Sequence, residues 1–206
     1  MPNSYSKFDY SDIQDLGIRL RRKALFQEIQ LIEPSDLLKQ VLYSNLKRPL
    51  ATEKAKSELI IVPILNELAT INHDSFTFFS GYSFDIDKER GLKGHCDFLL
   101  SLEVVSPVIE APVISIVEAK NADFSLGIPQ CVAQMYAAQI FNERKNKPVK
   151  TIYGIVTIGD TWNFLYLDEK TPEQHTAWID TTNFYLQDLP HLLGAFQKVI
   201  DFYKKK

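Results

Sequence analysis

Residues Val113-Ile114-Ser115-Ile116-Val117 form an almost unbroken apolar run that ends in Glu118-Ala119-Lys120. A run apolar on both faces suits a central strand covered by helices, and such a strand rarely ends in two ionised side chains without a purpose. Glu118 and Lys120 are two residues apart, so they project from the same face of the sheet. Asp97 lies in the preceding strand-like segment, Gly94-His95-Cys96-Asp97-Phe98-Leu99-Leu100, and a hairpin brings it beside Glu118. Two carboxylates that converge repel strongly unless they bind a hard cation or share a proton. Lys120 is then positioned to act on whatever the cation holds.

The rest of the 206-residue chain reads as one α/β domain, with no internal repeat, low-complexity tract or Gly/Ser/Pro-rich linker. Residues 11–32 and 35–47 are expected to be helical, the first from Leu16, Ile18, Leu20, Leu25, Ile29 and Ile32, the second capped by Ser35 and stopped by Pro49. Thr52 caps a further helix that runs to about Ala69, kinked or split at Pro63. Strands are expected over 76–84, 96–102 and 113–117 as a meander. Gly127 and Pro129 open a helix through Gln130, Gln134 and Phe141. Two more strands come next at 151–158 and 162–167, joined by a turn at Gly159-Asp160, and a final helix covers 189–203. The chain thus reads as one unit, with residues 1–50 a helical extension and 170–206 a strand/helix extension.

Charge narrows the function classes. The net charge of −3 excludes a protein that coats nucleic acid by charge alone, so any phosphate-binding site is local. Residues 1–56 hold 10 basic and 7 acidic groups, 57–140 hold 4 and 11, and 141–206 hold 9 and 8. The acidic middle is read either as a solvated surface or as carboxylates gathering on a divalent cation. Cys96 and Cys131 have neither zinc-ligand nor disulfide-framework spacing, which fits a reducing, cytoplasmic setting. No apolar run approaches the roughly 20 residues that span a bilayer, so no membrane is expected. No phosphate-cradling glycine loop and no G-x-S-x-G elbow occurs, which ranks ATP-driven and acyl-transfer chemistry low.

Asp97, twenty intervening residues, then Glu118-Ala119-Lys120 resembles the PD-(D/E)xK phosphodiesterase superfamily, the restriction-endonuclease-like fold, and the expected helix, three strands, helix, strand order is that family's core. The segments Ser57-Glu58-Leu59-Ile60-Ile61-Val62-Pro63-Ile64-Leu65, Gly94-His95-Cys96-Asp97-Phe98, Ile116-Val117-Glu118-Ala119-Lys120-Asn121 and Gly127-Ile128-Pro129-Gln130-Cys131 look like an uncharacterised bacterial family of similar length within it. The chain resembles more loosely the N-terminal nuclease domain of type I restriction enzyme R subunits. The likeness covers about residues 52–168, and Cys96 stands where the motif has its proline.

The resemblance implies a Mg²⁺- or Mn²⁺-dependent nuclease acting on nucleic acid, DNA first. It makes Asp97 and Glu118 metal ligands, Ala119 a carbonyl donor, and Lys120 the residue that orients or deprotonates water and stabilises charge at phosphorus. Glu58, on a helical face with Ile61, Val62 and Leu65, resembles the acid of the first core helix, with Glu53 as its rival. Gln130 resembles the assisting glutamine of related nucleases, with Gln134 one turn on as the alternative. Arg144, Lys145, Lys147 and Lys150, or Arg19, Arg21, Arg22 and Lys23, are candidates to hold phosphates. Pairing into a homodimer is left open. Two other readings stand beside this one: a binding or regulatory module of the same fold without turnover, and a structural ion-pair cluster in an unrelated α/β protein.

Overall fold

The computed structural model describes residues 2, 4–104, 106–121, 123–171 and 174–204. The apolar run becomes β4 (Val113–Ala119), buried at every position and at the centre of a seven-stranded mixed sheet. Its neighbours are β3 (His95–Ser101), antiparallel, and β5 (Thr151–Thr157), parallel. Beyond β3 lies β2 (Thr77–Ser83), so the expected antiparallel meander is present. Beyond β5 come β6 (Thr161–Thr171), β7 (Gln174–Tyr185) and the edge strand β1 (Ile18–Lys23). The β5–β6 turn falls at Gly159, whose φ of +97° favours a residue without Cβ.

Helices cover both faces, as a sheet apolar on both sides requires. One face packs against α2 (Asp36–Asn45), α4 (Val62–Ile71) and α6 (Leu189–Lys204); the other packs against α1 (Tyr10–Asp15) and the long α5 (Phe124–Arg144). Ser35 and Thr52 cap as expected, accepting from Leu38 N and Ala55 N. Thr52 opens α3 (Glu53–Lys56), which passes through a wide π-helical turn at Ser57–Ile61 into α4. Pro63 has no N–H for the Leu59 carbonyl four residues back. That carbonyl accepts instead from Asn45 Nδ2 at 2.9 Å, which also ties α2 to the widened turn.

Three expectations are corrected. Residues 11–32 are not one helix: Gly17, at φ +77°, ends α1, and Ile18 and Leu20 then alternate with Arg19 and Arg21 as a strand pairs with β7. The N-terminal region is therefore part of the sheet. The sheet is also larger than a 52–168 core, because β1 and β7 come from outside that span. Gly127 and Pro129 do not open α5; Asp123 caps it, accepting from Ser125 N at 2.7 Å, and both residues lie inside the helix. Among the described residues no helix is long and apolar enough to cross a membrane.

Asn142 fixes α5 to the sheet. Its amide donates to Val113 O at 2.7 Å and accepts from Val113 N at 2.8 Å, meeting both backbone groups at the start of β4 as a neighbouring strand would. Asn142→Ala removes both bonds and is expected to lower unfolding free energy by about 2–4 kcal/mol in chemical denaturation. A loss below about 0.5 kcal/mol would show that water replaces the amide and that this contact does not hold the helix.

Candidate active site

The β3–β4 pairing ends at Phe98 and Val117, and Asp97 and Glu118 are the next residues on the two strands, at the C-terminal end of β4. The Asp97 carboxylate accepts from the Ala119 N–H at 2.8 Å. Lys120 continues the pairing with β5 through its N–H to Thr157 O at 2.7 Å, which holds its Cα in strand register and turns its side chain to the Glu118 face. Lys120 Nζ then donates to Glu118 Oε1 at 2.6 Å. From α5, Gln134 Nε2 donates to Glu118 Oε2 at 3.0 Å. The three residues singled out in the sequence thus come together, and Gln134 joins them.

Close approach of α5 makes this possible. A Cβ on Gly127 would lie 2.6 Å from Val156 Cγ1 and 3.0 Å from Lys120 Cγ, so this glycine lets the helix rest on β5 and on the Lys120 stem. Glu118 is 1% exposed and Lys120 15% exposed by side chain, so the pair is largely removed from water. Burial, then the Asp97 charge, push the Glu118 carboxyl up to about 8, against the pull of the Lys120 ammonium and the Gln134 amide. Asp97 is also raised, chiefly by burial, although its bond from Ala119 N lowers it. Burial draws Lys120 down, but the adjacent Glu118 outweighs it; the net shift is upward and the lysine stays cationic. The two thiols, Cys96 and Cys131, are buried nearby and pushed well up by desolvation, which leaves them as packing groups rather than nucleophiles.

Other candidates fall where local structure places them. Glu58 does not reach the cluster. Its side chain is 63% exposed and pairs with Lys54 at 3.8 Å, because the buried face of the widened turn is carried by Ile60 and Ile61. Its rival Glu53 lies close enough for its charge to raise both Asp97 and Lys120. Gln130 is buried one turn before Gln134 and is not bonded to Glu118; the bond to Glu118 is made by Gln134. Arg144 bonds Ile86 O, and Lys147 bonds Ala111 O and Glu103. They anchor loops at the end of α5 that Asn142 fastens to the start of β4, roughly 17 Å of strand away from Glu118. His95 is exposed at the start of β3.

One residue that the sequence pattern did not single out is Lys56. Its ammonium donates to the Asn121 carbonyl, just past Lys120, and its stem crosses Gly159. The available signal was its i,i+3 spacing from Glu53 on a helix capped by Thr52.

Among the described residues no three His, Cys, Asp or Glu side chains group to hold an ion. The donors here are the Asp97 and Glu118 carboxylates beside main-chain carbonyls, with Gln134 Oε1 buried and without a hydrogen bond among the described residues. That set fits Mg²⁺ or Mn²⁺, which takes one or two carboxylates from the protein and fills its other positions with water and phosphate oxygens. No protein-family model matches the chain, and no curated protein matches it.

A carboxyl with a higher pKa in the folded than in the unfolded chain keeps its proton where the unfolded chain has lost it. For Glu118 that contribution is whole below about pH 4.5 and is lost as pH rises towards about 8. Stability should therefore fall across that window by at most about 1.4 kcal/mol per pH unit from this group. Glu118→Gln should flatten the curve relative to wild type in urea titrations at each pH. Parallel curves for the two proteins would show that Glu118 titrates normally.

Proposed function

We propose that this end of the sheet hydrolyses phosphodiester bonds in nucleic acid, DNA first, within a fold of the restriction-endonuclease-like class. The observation that carries the reading is the meeting of Asp97, Glu118 and Lys120 at the end of the central strand, the three residues of the D…ExK resemblance. Asp97 and Glu118 would hold a divalent cation, with Ala119 expected to lend its carbonyl. When bound, the cation supplies positive charge to the phosphate and makes water a stronger acid.

The chain's own residues do the rest. In hydrolysis a water oxygen bonds to phosphorus, the P–O bond to the departing alkoxide breaks, and the water proton is lost while the alkoxide gains one. Lys120 is cationic, so it serves as donor and counter-charge to the phosphoryl oxygens rather than as the base. Gln134 steadies the Glu118 carboxylate from the helix side, keeping its orientation when Lys120 moves to substrate. Glu53 and Lys56 stand at the rim, where the lysine offers a second positive charge to a phosphate. The single-site geometry leaves pairing of two copies as the means of cutting both strands.

A second reading is favoured by one specific feature: both Glu118 oxygens are already engaged, by Lys120 and Gln134. On that reading the cluster is a closed ion pair, and the protein binds nucleic acid without turnover or serves another role. Incubating the purified chain with single-stranded and duplex DNA and Mn²⁺ separates the two. Cleavage is expected, with Lys120→Ala lowering its rate by about 10²–10³, and Gln134→Ala costing more than Gln130→Ala. Manganese calorimetry should show one stoichiometric site, lost in Asp97→Asn, with proton release that grows below pH 8. Absence of both heat and cleavage favours the closed pair. Cutting that survives both Lys120→Ala and Glu118→Ala places the activity elsewhere.

A further inference from the structure

The α6 face of the sheet carries an arrangement that the proposed reaction does not use. Tyr153 of β5 is the register partner of Tyr166 of β6, and Tyr166 that of Trp178 of β7, so three rings form a row across adjacent strands. Their centroids are 5.8 Å and 6.4 Å apart, and all three are only half-buried. Arg21 of the edge strand is the next register partner after Trp178. Arg19, Arg21 and Lys23 alternate with Ile18 and Leu20, so they share this face. They are exposed, and none has an ion-pair partner among the described residues. Lys23 lies over Trp178 at 4.3 Å and Tyr166 at 5.0 Å.

Cations on an edge strand are a common guard against strand pairing, which accounts for the lysine and arginines but not for an open row of rings beside them. The row also leads somewhere. Tyr153 forms one wall of an open cavity of about 970 Å³ beneath residues 25–32, with Phe26 and Phe202 as further apolar walls and Gln30, Gln197 and Lys198 as polar groups. Acids on this face are mostly engaged: Asp168 bonds Thr151, Asp180 accepts from Thr182 N, and Asp201 accepts from Gln197. Glu28 remains at the cavity mouth.

We infer that this face binds a single strand of nucleic acid, with bases stacked on Tyr166 and Trp178 and phosphates along Arg19, Arg21 and Lys23. Alternate residues of a strand stand about 6.5 Å apart, a spacing that suits successive phosphates of an extended strand. Stacking tolerates any base and needs its ring face free, which a duplex does not provide. Lys23 swings from the rings to a phosphate, exchanging a weak exposed cation–π contact for a charge pair. The rings lie on the sheet face opposite α5 and Gln134, so this is a holding site separate from the reacting bond. The inference rests on nucleic acid being the ligand, not on hydrolysis.

The test uses the full chain carrying Glu118→Gln, without added metal, titrated with an oligothymidylate of about ten nucleotides. Trp162 is fully buried, so saturable quenching reports Trp178. Binding should weaken about tenfold or more in Tyr166→Ala with Trp178→Ala, followed by the anisotropy of a fluorescein-labelled oligonucleotide because this variant lacks the reporting tryptophan. Arg21→Gln and Lys23→Gln alter exposed side chains and leave the fold in place, so they decide the matter even if the aromatic variant fails to fold. Each should reduce the dependence of log affinity on log salt by about 0.7. Absence of quenching, equal binding of duplex, or an unchanged salt slope in both cation variants overturns the inference. With Glu118 intact and Mn²⁺ present the two proposals separate: cleavage with Trp178 emission unchanged overturns this one alone, and quenching without cleavage overturns the hydrolytic reading alone.

Discussion

The contact between Lys120 and Glu118 sets the terms for everything around it. A carboxylate on a fully buried central strand loses its water, and attraction to a cation in that medium rarely exceeds the desolvation loss by much. The fold supplies three compensations. Lys120 arrives from the strand itself, two residues on; Gln134 arrives from α5; and the Ala119 N–H turns to Asp97, moderating the like charge opposite. Gln134 reaches Glu118 only with α5 pressed closely on the sheet, and a glycine at 127 and the backbone-mimicking amide of Asn142 hold the two ends of that contact.

Short-range regularities made part of this legible in advance. The apolar run of β4 and the i,i+2 placement of Glu118 and Lys120 need no tertiary information, and an antiparallel hairpin is the short route from Asp97 to Glu118. The caps at Ser35 and Thr52 were equally local. The misses arose where distant parts of the chain decide. Ile18-Arg19-Leu20-Arg21 is ambiguous until β7 offers a partner, since isolated apolar residues in a basic stretch satisfy either period. Glu58 leaves the face it would share with Ile61, Val62 and Leu65 because it lies inside the wide turn that Pro63 and Asn45 stabilise, where an extra residue shifts the helical periodicity. Gln130 and Gln134 differ by a single turn, and only the depth of Glu118 along β4 selects between them.

Segment charge misleads for a different reason. Most carboxylates of the acidic middle stay on loops around β2 and β3, where Asp85 pairs with Lys88 and Asp87 with Arg90. Among the acids at the cluster, only Asp97 and Glu118 come from that segment, and Glu53 comes from the net-basic first segment. Excess acidity along this stretch of sequence is thus a solvated surface for the most part. The informative quantity is burial at two positions, which segment charge cannot report.

On the hydrolytic proposal, proton and cation would compete for one place. Burial and the Asp97 charge raise Glu118 to about 8, so on the proposed reading a divalent cation would bind in competition with a proton. The same displacement would free Lys120, whose ammonium would have no reason to remain on a carboxylate already neutralised. A closed, self-satisfied ion pair is thus also the form that a cation site takes at rest when its acids are buried. The distinction between a structural and a functional cluster lies in whether a stronger positive charge can enter. The 15% exposure of the Lys120 side chain, against 1% for Glu118, marks the side from which it would come.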